Sequence, residues 1–258
     1  PLEIIAKLQQ QKKKEEEKLI HETQEKLAKA HKKAEEDKAK TKEVKADYGV
    51  VISASHNSGE YNGIKVFNGE GYKLGDKNEE RIERCFIHNK TNDYPHIGTY
   101  EQDFTLVKLY KQFLINTSAN SFKGKTIVLD CANGASHKIA PEVFRKLGAN
   151  VIASNSFNNG LKINKNCGAL YPESLVKRVA RYKADMGFAF DGDADRLIAV
   201  NEKGEIVDGD QIIFGLAKYL KSLGKLKGNT AVGTSHTNMA IEEELKNEGI
   251  DLIRTDIG

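Results

Sequence analysis

Apolar positions are spread unevenly along this chain. Over residues 1–46 they are sparse. Leu2, Ile5, Leu8, Leu19 and Leu27 stand among Lys, Glu, Gln and Ala, and residues 9–18 hold none. Those polar types are good helix formers. Glu22–Lys26, Glu25–Lys29 and Glu36–Lys40 have the favourable i,i+4 order. The apolar spacing is too thin for a sustained heptad. The pattern predicts a long, charged, solvated helix, with a weak coiled coil or a partner-binding helix as the alternative.

From residue 47 the pattern becomes that of a globular protein. The β-branched run Val50, Val51, Ile52 predicts a buried strand, and Ile64–Phe67 a second one. Residues 76–87 and 104–117 predict helices. Residues 125–136 read as a buried strand running into a Gly-containing turn. Ala140–Leu147 follows as a helix, Val151–Ser154 as a strand, Pro172–Tyr182 as a helix and Met186–Phe190 as a strand. Such alternation implies α/β domains with a mostly parallel sheet. A further helix begins near Asp210, and residues 228–250 read as strand, loop and helix, with Asn238 at a capping position. The expected domains are 47–103, 104–206 and 207–258.

Two polar interruptions carry the chemistry. After Ile52 the chain breaks into Ser53, Ala54, Ser55, His56, Asn57, Ser58 and Gly59. A strand ending in Ser-His-Asn puts a hydroxyl, an imidazole and free backbone N–H groups where open α/β sheets bind ligands; a plain polar turn is the alternative. The second is FAFDGDADRLIAV, residues 188–200, with Asp191, Asp193 and Asp195 between apolar strands. Oxygen ligands at this density suit Mg²⁺ or Ca²⁺. An EF-hand would use the same three positions with Glu202 as the twelfth, but Arg196 stands where its turn requires Gly, and the flanks read as strands. Asp130, Asn133 and Gly134 read as packing and turn residues.

Charge and cysteine usage narrow the class. Charged residues make up 30% of the 258, yet the net charge is only +3, so there is no strong nucleic-acid footprint. Cys85, Cys131 and Cys167 are odd in number and lack CxxC spacing, which argues against a disulfide framework or a zinc site. No apolar run approaches a membrane span, and the first residues lack a signal-peptide core. The expectation is a cytoplasmic protein without nucleic-acid or membrane partners.

SASHN (53–57), YNGIK (61–65) and DGDADR (191–196), in this order, resemble the α-D-phosphohexomutase superfamily, whose members move a phosphoryl group between positions of a hexose. The resemblance covers residues 46–258. GLKINKNCGALYPE (160–173) is most similar to the branch converting glucosamine 6-phosphate to glucosamine 1-phosphate, with mannose or glucose phosphate as the alternative substrate. The resemblance implies mixed-sheet α/β domains; the charged helix over 1–46 that precedes them is unrelated to it. It implies that Ser55 is phosphorylated and that Mg²⁺ is held by Ser55, Asp191, Asp193 and Asp195. Arg196 would offer a donor fork to phosphate, Lys65 would serve as acid and base, and His56 would contact phosphate or sugar.

Members of the superfamily open with a strand and a loop containing Gly and Arg. Here the first Gly is Gly49 and the first Arg is Arg81. The expectation is therefore a chain with only part of domains 1 and 3, lacking the sugar-reading Glu-x-Ser loop and the distal phosphate loop. Such a chain would bind metal without turning over. Two other classes stay open: a non-catalytic homologue that acts through its charged helix or by self-association at an unpaired sheet edge, and a simple metal-binding module.

Overall fold

A computed structural model of the chain describes residues 45–88, 98–118 and 121–256. The helix expected over 1–46 lies outside the described residues, apart from its last two positions. No helix among the described residues is long and apolar enough to cross a membrane.

The first unit is an antiparallel pair, β1 (Tyr48–Ile52) and β2 (Ile64–Asn68), in register Val50↔Val66 and Ile52↔Ile64. Phe67 is buried beneath it. Helix α1 (Asp76–Ile87) follows, then α2 (Thr105–Thr117). The expectation that β1 is a buried strand is corrected here. Its burial alternates, with Val50 62% and Ile52 71% exposed, because among the described residues β1 has β2 as its only neighbouring strand.

The central unit holds β3 (Thr126–Asp130), α3 (Ser136–Lys146), β4 (Asn150–Ser154), α4 (Glu173–Tyr182), β5 (Met186–Phe190), β6 (Leu197–Asn201) and β7 (Ile206–Val207). The strands lie in the order β4-β3-β5-β6-β7. β3 is parallel to both β4 and β5, and β6 and β7 run antiparallel. Successive residues of β3 face opposite ways, as a pleated strand requires. Val128 packs with Leu175, Val179, Ala184, Ala189 and Val200 under α4. Ile127 and Leu129 pack with Ala140, Phe144 and Phe188 on the face covered by α3. The chain leaves β3 towards β4 and returns to β5 on the other side. That reversal opens a crevice beyond the C-terminal ends of β3 and β5, the usual ligand position in such sheets.

Helix α3 starts at Ser136, four residues before the position expected from the apolar pattern, and contains Pro141. Proline has no N–H for the carbonyl of His137. The Ser156 hydroxyl supplies the missing donor, 2.5 Å from the His137 oxygen.

The last unit contains α5 (Gly209–Ser222), β8 (Thr230–Thr234), α6 (Met239–Asn247) and β9 (Asp251–Thr255), with β8 and β9 parallel. Asp208 and Gln211 form a capping box on α5, and Asn238 caps α6 by accepting from the Ala240 N–H. Ala217, Ala231, Leu245 and Ile250 form its core.

Candidate active site

The serine loop is closed at its base by two backbone hydrogen bonds. The Ser53 N–H donates to Gly63 O at 3.0 Å, and the Gly63 N–H donates to Ser53 O at 3.1 Å. The Ser53 hydroxyl then accepts from the Ser55 N–H at 3.0 Å. This holds Ser55 at φ 53°, a left-handed conformation that costs a non-glycine residue roughly 1–2 kcal/mol. The turn sends the Ser55 side chain across to the central unit, where its Oγ donates to Asp193 Oδ1 at 3.0 Å. Lys65, on β2, reaches the other oxygen of the same carboxylate, with Nζ 3.3 Å from Oδ2. Two sequence motifs 138 residues apart thus meet on one aspartate.

The acidic loop is the turn of the β5–β6 hairpin, just beyond the Phe190↔Leu197 pair. Asp191 is fully buried. Its Oδ1 accepts from the Arg196 N–H at 3.1 Å, while Oδ2 is buried without a partner. Burial pushes its carboxyl up to about 6 from an ordinary 3.8. The Arg196 amide pulls down, the charges of Asp193 and Asp195 push further up, and the Arg196 charge again pulls down. One oxygen each from Asp191, Asp193 and Asp195 lies within 4.8 Å of the others. Burial falls from Asp191 through Asp193 to Asp195, so the cluster opens to solvent on one side.

These residues fit a hard divalent cation. The donors are all carboxylate oxygens, they converge, and one of them is a buried oxygen with no protein donor. The flanking elements are strands, which removes the EF-hand alternative.

His56 is half-buried, and its Nδ1 is buried without a hydrogen-bond partner. Arg196 is exposed, and its guanidinium makes no ion pair among the described residues. Asp130 is buried and turns inward, accepting from the Ala132 N–H and from Asn155 Nδ2. Gly134 sits where a Cβ would lie 2.2 Å from Gly192 O.

Sequence reasoning missed two supports of the site. Asn164 donates from Nδ2 to Ser55 O and to Asn57 O, both at 2.8 Å. Gly192 lies against the serine loop so closely that a Cβ would stand 2.4 Å from Ser55 O. Both contacts join segments far apart in sequence, and the only local trace is polar and glycine content.

Family models described as Phosphoglucomutase/phosphomannomutase, alpha/beta/alpha domains I, II and III match residues 36–93, 106–204 and 208–258 in turn. A phosphoglucosamine mutase of Caldanaerobacter subterraneus is 52% identical over 84% of this chain and 49% of its own length. The chain thus spans about half the length of the curated relatives it matches. A phosphoglucomutase/phosphomannomutase family protein of Burkholderia thailandensis has a similar crystal structure, with a TM-score of 0.67 at 22% identity, over 82% of this chain and 45% of that one. The N-acetylphosphoglucosamine mutase of Aspergillus fumigatus, solved in complex with GlcNAc-6P and magnesium, matches at a TM-score of 0.53 and 18% identity, over 86% of this chain and 58% of that one.

Proposed function

The chain belongs to the phosphoglucomutase/phosphomannomutase family of phosphohexomutases, and from that premise we propose that Ser55 carries the phosphoryl group in a mutase reaction of the phosphoglucosamine type. The observation that carries the reading is the Ser55 Oγ–Asp193 Oδ1 contact, which sets a hydroxyl on a strained loop beside three converging carboxylates. The proposed reaction of the whole protein interconverts glucosamine 6-phosphate and glucosamine 1-phosphate through a bisphosphate. The glucosamine assignment rests on the phosphoglucosamine mutase relatives.

A phosphoserine here brings about −1.5 to −2 charge next to Asp191, Asp193 and Asp195. Unit charges about 4 Å apart near a protein surface repel by roughly 4 kcal/mol, so the arrangement needs cations. Asp191, Asp193, Asp195 and a phosphoryl oxygen on Ser55 would hold Mg²⁺, which when bound supplies positive charge to the transferring group. Lys65, held at Asp193, would give a proton to the sugar oxygen as it leaves phosphorus and take one back in the reverse transfer. Ser55 Oγ gains the phosphorus bond that the sugar oxygen gives up, and its hydroxyl proton would pass to the Asp193 carboxylate to which it donates. His56, next to Ser55 in the chain, and Arg196, whose backbone N–H holds Asp191, would bind phosphate or sugar oxygens.

Calorimetry with Mg²⁺ tests the metal part. Asp193→Asn should bind more weakly than wild type, because a hard-cation site loses a charged oxygen ligand, and equal affinity would remove the metal site. For the substrate, the whole protein is incubated with the 1,6-bisphosphates of glucosamine, glucose and mannose, and phosphate uptake is timed. Fastest uptake from the glucosamine compound is expected; a clear preference for mannose would overturn the assignment.

A further inference from the structure

Building on that reading, we propose that Asn164 is a positioning residue that fixes the serine loop against the acidic loop throughout the transfer cycle, and that residues 160–169 form the strap between them. Asn164 is 5% exposed, and its Nδ2 uses both protons on the serine loop, at Ser55 O and Asn57 O. Its backbone N–H donates to Ala132 O at 3.0 Å, in the loop after β3. Five residues on, the Ala169 N–H donates to Phe190 O at 2.9 Å, one residue before Asp191. A Cβ on Gly192 would meet Asn164 Nδ2 at 2.7 Å and Ile163 Cδ1 at 3.0 Å. At the other end of the strap, a Cβ on Gly59 would meet Gly160 O at 2.3 Å. The segment that sequence reading assigned to substrate identity therefore lies between the two loops that bring Ser55 and the carboxylates together.

The residue type is dictated by this position. The amide NH₂ offers two donors in one plane to two carbonyl oxygens. An aspartate would set an acceptor against acceptors. Asn164 also has φ 55°, a conformation that asparagine tolerates better than most residues.

The chemistry makes this tie different from the direct one. Phosphorylation replaces the Ser55 hydroxyl proton with a phosphoryl group, so the hydrogen bond to Asp193 exists only in the free form of the serine. The Asn164 bonds go to backbone carbonyls and are available in both forms. Asn164 thus supplies a tie on the serine loop that does not depend on the state of Ser55.

The test uses the full chain with Asn164→Gly, which keeps the left-handed backbone and removes the side chain, and Asn164→Asp as the isosteric partner. Three readouts are taken: amide exchange by mass spectrometry, Mg²⁺ affinity of the unphosphorylated protein, and the rate of Ser55 phosphorylation by a hexose 1,6-bisphosphate. Exchange over 53–60 should rise at least about tenfold in both variants, with β3 and β5 still protected and Mg²⁺ affinity within about threefold. The phosphorylation rate should fall about 10–100-fold, as expected for a misplaced reacting group. Unchanged exchange over 53–60 would overturn the proposal, and so would an equal rise over β3 and β5, which marks a merely structural role. Wild type that takes up no phosphate would sink the functional reading alone, and the exchange data would still decide the role of Asn164.

Discussion

Replacing Asp191 by Asn should stabilise the metal-free protein while abolishing its metal site. The carboxyl of Asp191 is raised from 3.8 to about 6, chiefly by burial. A shift of about two pKa units is worth roughly 3 kcal/mol between its charge states. The sign follows from linkage. Between about pH 4 and pH 6 the folded chain binds more protons at this group than the unfolded chain, so metal-free stability falls as pH rises through that window. Above it the full penalty applies, and below it none does. Asn would remove the charge and keep an acceptor for the Arg196 N–H, but its new NH₂ would lack a partner at the position of Oδ2. An unmet buried donor costs about 1–3 kcal/mol, which leaves a net gain of about 0–2 kcal/mol at neutral pH. Urea unfolding in EDTA at pH 8 and at pH 4 measures it. The Asp191→Asn variant should be the more stable form at pH 8, and the order should reverse by pH 4, where wild type sheds its charge penalty and the unpaired NH₂ of the variant remains. Added Mg²⁺ should raise the midpoint of wild type alone. A variant less stable than wild type at pH 8 without metal, or a gap independent of pH, would refute the reasoning.

Three further outcomes follow from the packing. Gly192→Ala should cost about 1–3 kcal/mol as an overpacking change and weaken Mg²⁺ binding in calorimetry, since its Cβ would press on the Ser55 carbonyl. Leu175→Ala, in the core under α4, should cost about 3–4 kcal/mol in urea unfolding and leave the Mg²⁺ affinity of the folded protein unchanged. Asp208→Ala removes the α5 cap and should cost about 1 kcal/mol in the same assay.

The parts of the fold written in short stretches of sequence were legible. Residues 76–87 and 186–190 form the helix and strand that their patterns predict. The spacing of Asp191, Asp193 and Asp195 already implied a convergent acidic turn, because a hairpin brings alternate residues of its loop together. What pattern could not supply was partnership. β7 has only two residues, and β9 begins with Asp251 and carries Arg254, so neither shows a strand-like apolar run. Val50 and Ile52 looked like core, yet burial depends on neighbours that the run itself does not name. The meeting of Ser55 and Lys65 with Asp193, and the bridge from Asn164, depend on tertiary packing between units. A local motif named the candidate reacting groups, and the structure shows which residues hold them together.

The measurement that bears most directly on the assignment of Ser55 is phosphate mapping. The chain is incubated with a hexose 1,6-bisphosphate and Mg²⁺, its intact mass is taken, and its peptides are sequenced by mass spectrometry. One phosphate on Ser55 is predicted, absent from Ser55→Ala and strongly reduced in EDTA. Phosphate on Ser53 or Ser58, or equal labelling of Ser55→Ala, would contradict it.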